Sequence, residues 1–211
     1  MFDTTKYYSK DLKIHVSVSI MIPDNYHKVD TLYKPIYYLT YRNPFLKDKE
    51  YEAIVNKTNR PIVAIYPTMD LNKNKLLFEA FNSDYNYSYL YQKFIVSELI
   101  PTLEKYYRLS SIALDKTIAG DLGSEYMSLL MPLDFPKSFY EVISLNLNLE
   151  ENFKKLMCDL ISKFNPNIKL NISSKNEENL NYLIKTMIEL GSPHAKKTND
   201  LTLLDYLKEN N

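Results

Sequence analysis

Three histidines are the side chains in this sequence best suited to proton transfer, because an imidazole changes its charge near neutral pH. His15 alternates outward on a candidate strand and His27 lies in a turn, so neither is a natural general base. His194 could form a dyad with Asp200, although most histidines in such a position simply titrate at the surface. His194 is therefore the one candidate base.

The other reactive or metal-binding side chains are sparse. Cys158, the single cysteine, lies on an apolar helical stripe, where a buried structural thiol is favoured over a catalytic one. Glu177 and Glu178 are adjacent at a predicted helix start, so their side chains diverge instead of converging on a metal. We expect no metal site and no cofactor.

Length and charge indicate the class of protein. The chain has 211 residues, of which 45% are hydrophobic, and this is enough for the core of one domain over residues 1–211. Lys+Arg 26 balance Asp+Glu 26 without a conspicuous basic run, so we expect no nucleic-acid partner. No apolar leader and no run of about 18 apolar residues occurs, so we expect no membrane span and a cytoplasmic location.

The first half of the chain predicts strands followed by a helix. Residues 12–22 alternate apolar and polar side chains, as a half-buried strand does. Residues 35–41 and 61–66 are short apolar runs bounded by proline, which is typical of buried central strands. Apolar positions recur at helical spacing over 89–106, where Pro101 should produce a kink.

The second half alternates strands with helices. The predicted elements are a strand at 116–120, a helix at 125–131 ended before Pro132, a strand at 140–145, a helix at 150–164, a strand at 168–172, a helix at 177–190 closed by Gly191, and a helix at 201–207. Such alternation predicts a largely parallel sheet with helices on both faces.

The turn between the strand at 116–120 and the following helix carries two of the three glycines, and small residues suit a tight strand-to-helix turn. Residues 118–126, IAGDLGSEY, resemble the "I-A-G-x-S-x-G-G-Y" nucleophile elbow of the esterase D, S-formylglutathione hydrolase and tributyrin-esterase group. Residues 94–107 are similar to the "E-L-I-P-x-I-E-x-x-Y" helix of that group, including its proline. The resemblance covers nearly the whole chain and implies an α/β-hydrolase fold without a large lid.

The resemblance also implies that the catalytic residues have been replaced. Leu122 stands at the position of the serine nucleophile, Asn176 at that of the triad aspartate, and Asn199 at that of the histidine base. Leucine cannot attack a carbonyl carbon, and an amide cannot stabilise an imidazolium as a carboxylate does. Tyr41 and Arg42 stand where the oxyanion loop has His-Gly, which predicts a disturbed oxyanion hole.

Two other residues of the turn could act as displaced nucleophiles. Asp121 lies between small residues if the motif is shifted by one position, but a solvated or helix N-terminal aspartate is the simpler interpretation. Ser124 falls at the predicted N-cap of the following helix, where its hydroxyl would accept a hydrogen bond from a backbone N–H group.

Two functions therefore remain. The favoured hypothesis is a pseudoenzyme, an inactive esterase homologue that serves as a binding or assembly scaffold for an unidentified protein or small molecule. The alternative is weak or altered ester hydrolysis by Asp121 or Ser124 with His194. The resemblance leaves a homo-oligomer open, and no sequence feature fixes the number of subunits.

Overall fold

The computed structural model describes residues 2–28, 30–45, 49–67, 84–121, 123–147, 167–191, 195–198 and 203–210. Within these ranges the chain forms one sheet of eight strands in the order β1-β2-β4-β3-β5-β6-β7-β8. The strands are β1 Phe2–Ser9, β2 Ile14–Met21, β3 Ile36–Leu39, β4 Ile62–Pro67, β5 Thr117–Gly120, β6 Glu141–Ser144, β7 Lys169–Ile172 and β8 Ala195–Lys197.

The sheet is mostly parallel, as predicted. Strand β2 pairs antiparallel with both β1 and β4, and every pairing from β4 to β8 is parallel. The helices are α1 Glu50–Thr58, α2 Tyr85–Phe94, α3 Ile100–Tyr106, α4 Glu125–Asp134, α5 Glu177–Glu189 and α6 Leu203–Asn210. None of these described helices is long and apolar enough to cross a membrane.

Helices cover both faces of the sheet because its central strands are apolar on both sides. In β3, Tyr37 and Leu39 belong to a core that also contains side chains of α2 to α5. Ile36 and Tyr38 face the opposite core, which is closed by α1 and α6. This alternation of side chains along a strand explains why the short apolar runs of the sequence are interior strands.

The helix predicted over 89–106 begins earlier and is interrupted. A π-helical segment, Ile95–Leu99, joins α2 to α3, and the N–H group of Ile100 bonds to the carbonyl of Ile95, five residues back. Pro101 is the second residue of α3. Proline has no N–H group and its ring crowds the preceding turn, so the wider π-helical turn accommodates it in place of a simple kink.

Several sequence predictions need correction. Strand β1 was not predicted because Asp3 to Lys6 are exposed, so this edge strand has no apolar alternation. Helix α1 and the short strand β8 were also not predicted. Helix α4 runs through Pro132 to Asp134, since burial of its apolar side chains outweighs the one lost hydrogen bond. The helix predicted at 150–164, with Cys158, lies outside the described residues.

Candidate active site

The loops that follow β3, β5, β6 and β7 meet at one edge of the sheet, because these strands are parallel neighbours. Leu39 pairs with Gly120, Gly120 with Ser144, and Ser144 with Ile172. The sequences after these residues therefore start side by side. In open α/β sheets, ligands bind at this carboxyl edge, so we call it the candidate site edge.

The turn after β5, residues 120–125, keeps the geometry of a tight strand-to-helix connection. A Cβ atom on Gly120 would lie 2.5 Å from the carbonyl oxygen of Ser124, so only glycine fits without movement of the backbone. Gly123 has a φ of +106°, a conformation that L side chains rarely adopt. Two of the three glycines in the chain thus serve this turn.

Ser124 holds this turn against the neighbouring strand. Its Oγ lies 2.6 Å from the carbonyl oxygen of Leu39 and 2.9 Å from that of Asp121, and it accepts a hydrogen bond from the Asp121 N–H group at 3.2 Å. Ser124 is the N-cap residue of α4, but its side chain makes no capping bond to the helix. It is only 1% exposed, so its hydroxyl is not presented to solvent.

Asp121 is buried as well, at 1% exposure, so the expectation of a solvated aspartate is wrong. Its Oδ1 accepts a hydrogen bond from Tyr38 Oη at 2.6 Å, and its Oδ2 accepts a longer one, 3.4 Å, from the N–H group of Leu203 at the start of α6. The helix N-terminus that the Asp121 carboxylate contacts is thus that of α6, not that of α4. Burial raises the pKa of Asp121, and these two bonds offset the rise only in part.

A second buried carboxyl group, Glu125, has no counterpart in the sequence-based predictions. It is the first residue of α4, and its Oε2 accepts a hydrogen bond from the Gly123 N–H group at 2.5 Å. Burial raises the pKa of Glu125, and the negative charge of Asp121 raises it further. An acidic residue in the first turn of a helix was the only signal in the sequence that could have indicated this contact.

The predicted position of the oxyanion loop, directly after β3, carries two large side chains. Tyr41 is half-buried and Arg42 is exposed. The guanidinium carbon of Arg42 lies 5.5 Å from the centre of the Tyr41 ring, within the range of a cation–π contact. The positive charge of Arg42 lowers the pKa of Asp121, although less than burial raises it, so these two predicted site residues share one electrostatic environment.

Asn176, the predicted counterpart of the triad aspartate, caps helix α5. Its Oδ1 accepts a hydrogen bond from the Asn179 N–H group at 3.1 Å. The Asn176 side chain therefore stabilises the first turn of α5. Leu122, His194 and Asn199 lie outside the described residues, so their assignments remain predictions.

The two other histidines are exposed: His15 points outward from its strand and His27 lies in a turn, each as predicted. The His15 ring lies 4.9 Å from the Tyr8 ring on the neighbouring strand, and the His27 ring lies 5.2 Å from that of Tyr26. Across the ranges that the structure describes, no three His, Cys, Asp or Glu side chains form a group that could hold a metal ion.

Solved structures share this fold over nearly the whole chain. S-formylglutathione hydrolase (FrmB) from Staphylococcus aureus matches with a TM-score of 0.68 and 15% identity over 99% of this chain and 94% of its own. The BES protein from Bacillus cereus matches with a TM-score of 0.69 and 20% identity over 93% and 85%. An IroE-like serine hydrolase from Shewanella oneidensis gives a TM-score of 0.70 and 13% identity over 96% and 75%. The chain thus has the α/β-hydrolase fold.

The family within this fold follows from the sequence. The "Putative esterase" family matches residues 9–183, so the chain belongs to that family. An uncharacterised protein, YjcH from Bacillus subtilis, is 25% identical over 151 residues, which is 65% of this chain. The matched region spans 58% of the length of that relative.

Proposed function

We propose that this member of the esterase family is catalytically inactive and serves as a binding or assembly scaffold. The observation that carries the proposal is the state of the two polar side chains that could replace the missing nucleophile. Asp121 and Ser124 are each 1% exposed, and both are engaged in hydrogen bonds within the fold. Neither is presented to a substrate.

The bonds of Ser124 explain why it is a poor nucleophile. An activated serine donates its proton to a general base, usually a histidine. The hydroxyl of Ser124 instead points to backbone carbonyl oxygens, of which that of Leu39 is nearest at 2.6 Å. A carbonyl oxygen cannot take up the proton, so this contact does not activate the hydroxyl.

Asp121 is equally unsuited to attack. A carboxylate nucleophile must be ionised and must face the substrate. Burial raises the pKa of Asp121 and so opposes ionisation, while Tyr38 and the start of α6 occupy its two oxygens. Attack by Asp121 would require breaking these contacts, which link the turn to two different elements.

The positions around the turn support the same proposal. Leu122 offers no nucleophile at the motif's serine position, and Asn176 acts as a helix cap. Arg42 brings a bulky side chain to a position suited to glycine. A residual hydrolase that uses Asp121 or Ser124 with His194 is the competing function.

Turnover of p-nitrophenyl acetate and butyrate separates the two functions. We expect the wild-type protein to match the rate of the buffer blank, and the variants Asp121→Asn and Ser124→Ala to leave that rate unchanged. A wild-type rate well above the blank that either substitution abolishes would establish the competing hydrolase. Thermal unfolding of each variant verifies that it is folded.

A restoration variant tests the predicted triad positions. Leu122→Ser, Asn176→Asp and Asn199→His together return the family's residue types to those positions. If the assignments are correct, the triple variant should hydrolyse p-nitrophenyl butyrate more rapidly than Leu122→Ser alone. Both variants also carry Tyr41→His and Arg42→Gly, which return the residue types of the predicted oxyanion loop, so equal background rates for both would contradict the assignment of Asn176 and Asn199.

A further inference from the structure

Arg42 differs from the other two arginines of the chain. Arg60 lies 3.7 Å from Glu141, and Arg108 lies 3.7 Å from Asp30, so each has a carboxylate partner. Among the described residues, no carboxylate forms a salt bridge with Arg42, whose side chain is exposed at the candidate site edge. Within the described part of the chain, a ligand of Arg42 would therefore have no carboxylate partner to displace.

The guanidinium group of Arg42 is also oriented. It lies over the Tyr41 ring, 5.5 Å from the ring centre, and Tyr41 is itself half-buried against the core. A cation–π contact of this kind restricts the side chain to fewer rotamers. A ligand that binds there has less conformational entropy to remove than at a free surface arginine.

Within the described residues, the carboxyl groups of the neighbouring turn form no salt bridge with Arg42. Asp121 and Glu125 are buried, and their oxygens accept hydrogen bonds from Tyr38, Leu203 and Gly123. Burial raises the pKa of both groups, and the positive charge of Arg42 is one of the influences that lower the pKa of Asp121. An anion bound by Arg42 would therefore displace no salt bridge to either of these carboxyl groups.

We propose that Arg42 is the anchor of an anion-binding site at the carboxyl edge of β3 and β5, and that its ligand carries a carboxylate group. The planar guanidinium fork matches the two oxygens of a carboxylate. The Tyr41 ring beside the guanidinium gives the site an apolar surface that the alkyl chain of a carboxylic acid can contact and inorganic phosphate cannot. The inference rests on the proposed function, because it names the chemical class of ligand that the binding scaffold would hold.

Titration of the 15N-labelled protein with butyrate, followed by nuclear magnetic resonance, tests this site. We expect the Arg42 side-chain signal and the amide signals of residues 40–43 to shift with saturation. Arg42→Ala should weaken binding at least tenfold, since a charge-assisted, two-point contact is lost. The matched control Lys57→Ala removes an exposed positive charge from the last turn of α1 and should leave binding unchanged.

Two further arms test the chemistry. Arg42→Lys keeps the charge but not the fork, so we expect weaker binding than in the wild type. Inorganic phosphate at the same ionic strength should bind more weakly than butyrate. No saturable shift with butyrate, equal binding by Arg42→Ala, equal binding by Arg42→Lys, or tighter binding of phosphate would each overturn the proposal. Ester turnover is measured separately, so failure of this site is distinguishable from failure of the proposed inactivity.

Discussion

A half-buried carboxyl group and a buried one lie at opposite ends of the central strands, and their environments are opposite. At the amino end, Glu141 accepts hydrogen bonds from Lys169 Nζ at 2.6 Å and Thr117 Oγ1 at 2.8 Å, and lies 3.7 Å from Arg60. At the carboxyl end, Asp121 accepts bonds from a phenol and a backbone N–H group. One carboxyl group is thus paired with cations and the other with neutral donors.

The pKa values of the two carboxyl groups are shifted in opposite directions as a result. Burial alone would raise the pKa of Glu141, but the hydrogen bond and charge of Lys169, together with Thr117 and Arg60, hold it below its usual value. Burial does raise the pKa of Asp121. The amino end therefore stabilises an ionised carboxylate as part of the fold, whereas the carboxyl end disfavours charge on Asp121.

The largest effect is expected from filling the space at Gly120. Gly120→Ala places a Cβ atom 2.5 Å from the Ser124 carbonyl oxygen, so the turn must move, and we expect a loss of about 3 kcal/mol in unfolding free energy. The matched variant Gly123→Ala has open space around it but a positive φ, and should cost about 1 kcal/mol. Urea denaturation measures both, and equal costs would contradict a tightly packed turn.

Breaking the amino-end network should have the next largest effect. Glu141→Gln leaves Lys169 and Arg60 without their carboxylate, which costs about 2 kcal/mol after allowance for the 40% exposure of the Lys169 side chain. Glu98→Gln, on the exposed face of the π-helical segment, is the control and should change stability by less than about 0.5 kcal/mol. Equal costs in urea denaturation would show that the network contributes nothing.

A smaller effect is expected from the phenol that contacts Asp121. Tyr38→Phe removes the 2.6 Å hydrogen bond and should cost about 1 kcal/mol. Tyr37→Phe is the matched control on the opposite face of β3, because its hydroxyl is buried and meets no hydrogen-bond partner among the described residues. That control should stay within about 0.5 kcal/mol in urea denaturation. A larger loss for Tyr37→Phe than for Tyr38→Phe would contradict the role assigned to the Asp121 contact.

The pH dependence of stability extends this comparison, because folding shifts the pKa values of the two carboxyl groups in opposite directions. The folded pKa of Glu141 is lowered, so its contribution is present above the unfolded value of about 4.3 and is lost as pH falls through the folded pKa. The folded pKa of Asp121 is raised, so its contribution is present below about 3.9 and is lost as pH rises through the folded pKa.

These opposite pH dependences can be measured by comparing the unfolding free energy of each variant with that of the wild type across a range of pH. The amount by which the unfolding free energy of Glu141→Gln falls below that of the wild type should decrease as pH falls below about 4. The stability of Asp121→Asn relative to the wild type should improve as pH rises above about 4. Parallel profiles for the two variants would show that the two environments do not differ.

The sequence predicted the central strands and the turn after β5, because short apolar runs and paired glycines are local signals. It could not reveal that Asp121 is buried, since the groups that cover it, Tyr38 and Leu203, are 83 and 82 positions away in the chain. It also ended α4 before Pro132, because the burial that keeps the helix intact depends on tertiary packing. Local sequence patterns thus gave wrong predictions where the structure depends on contacts between residues that are far apart in the chain.

The central claim is that the polar residues of the turn after β5 stabilise the fold and perform no catalysis. Ser124→Ala tests it most directly, with unfolding free energy and p-nitrophenyl butyrate turnover measured on the same preparation. We predict a loss of about 1–2 kcal/mol in stability, because the Asp121 N–H group and the Leu39 carbonyl lose a buried partner, and ester turnover equal to the blank before and after substitution. A wild-type turnover well above the blank that disappears in Ser124→Ala, with stability unchanged, would contradict the claim.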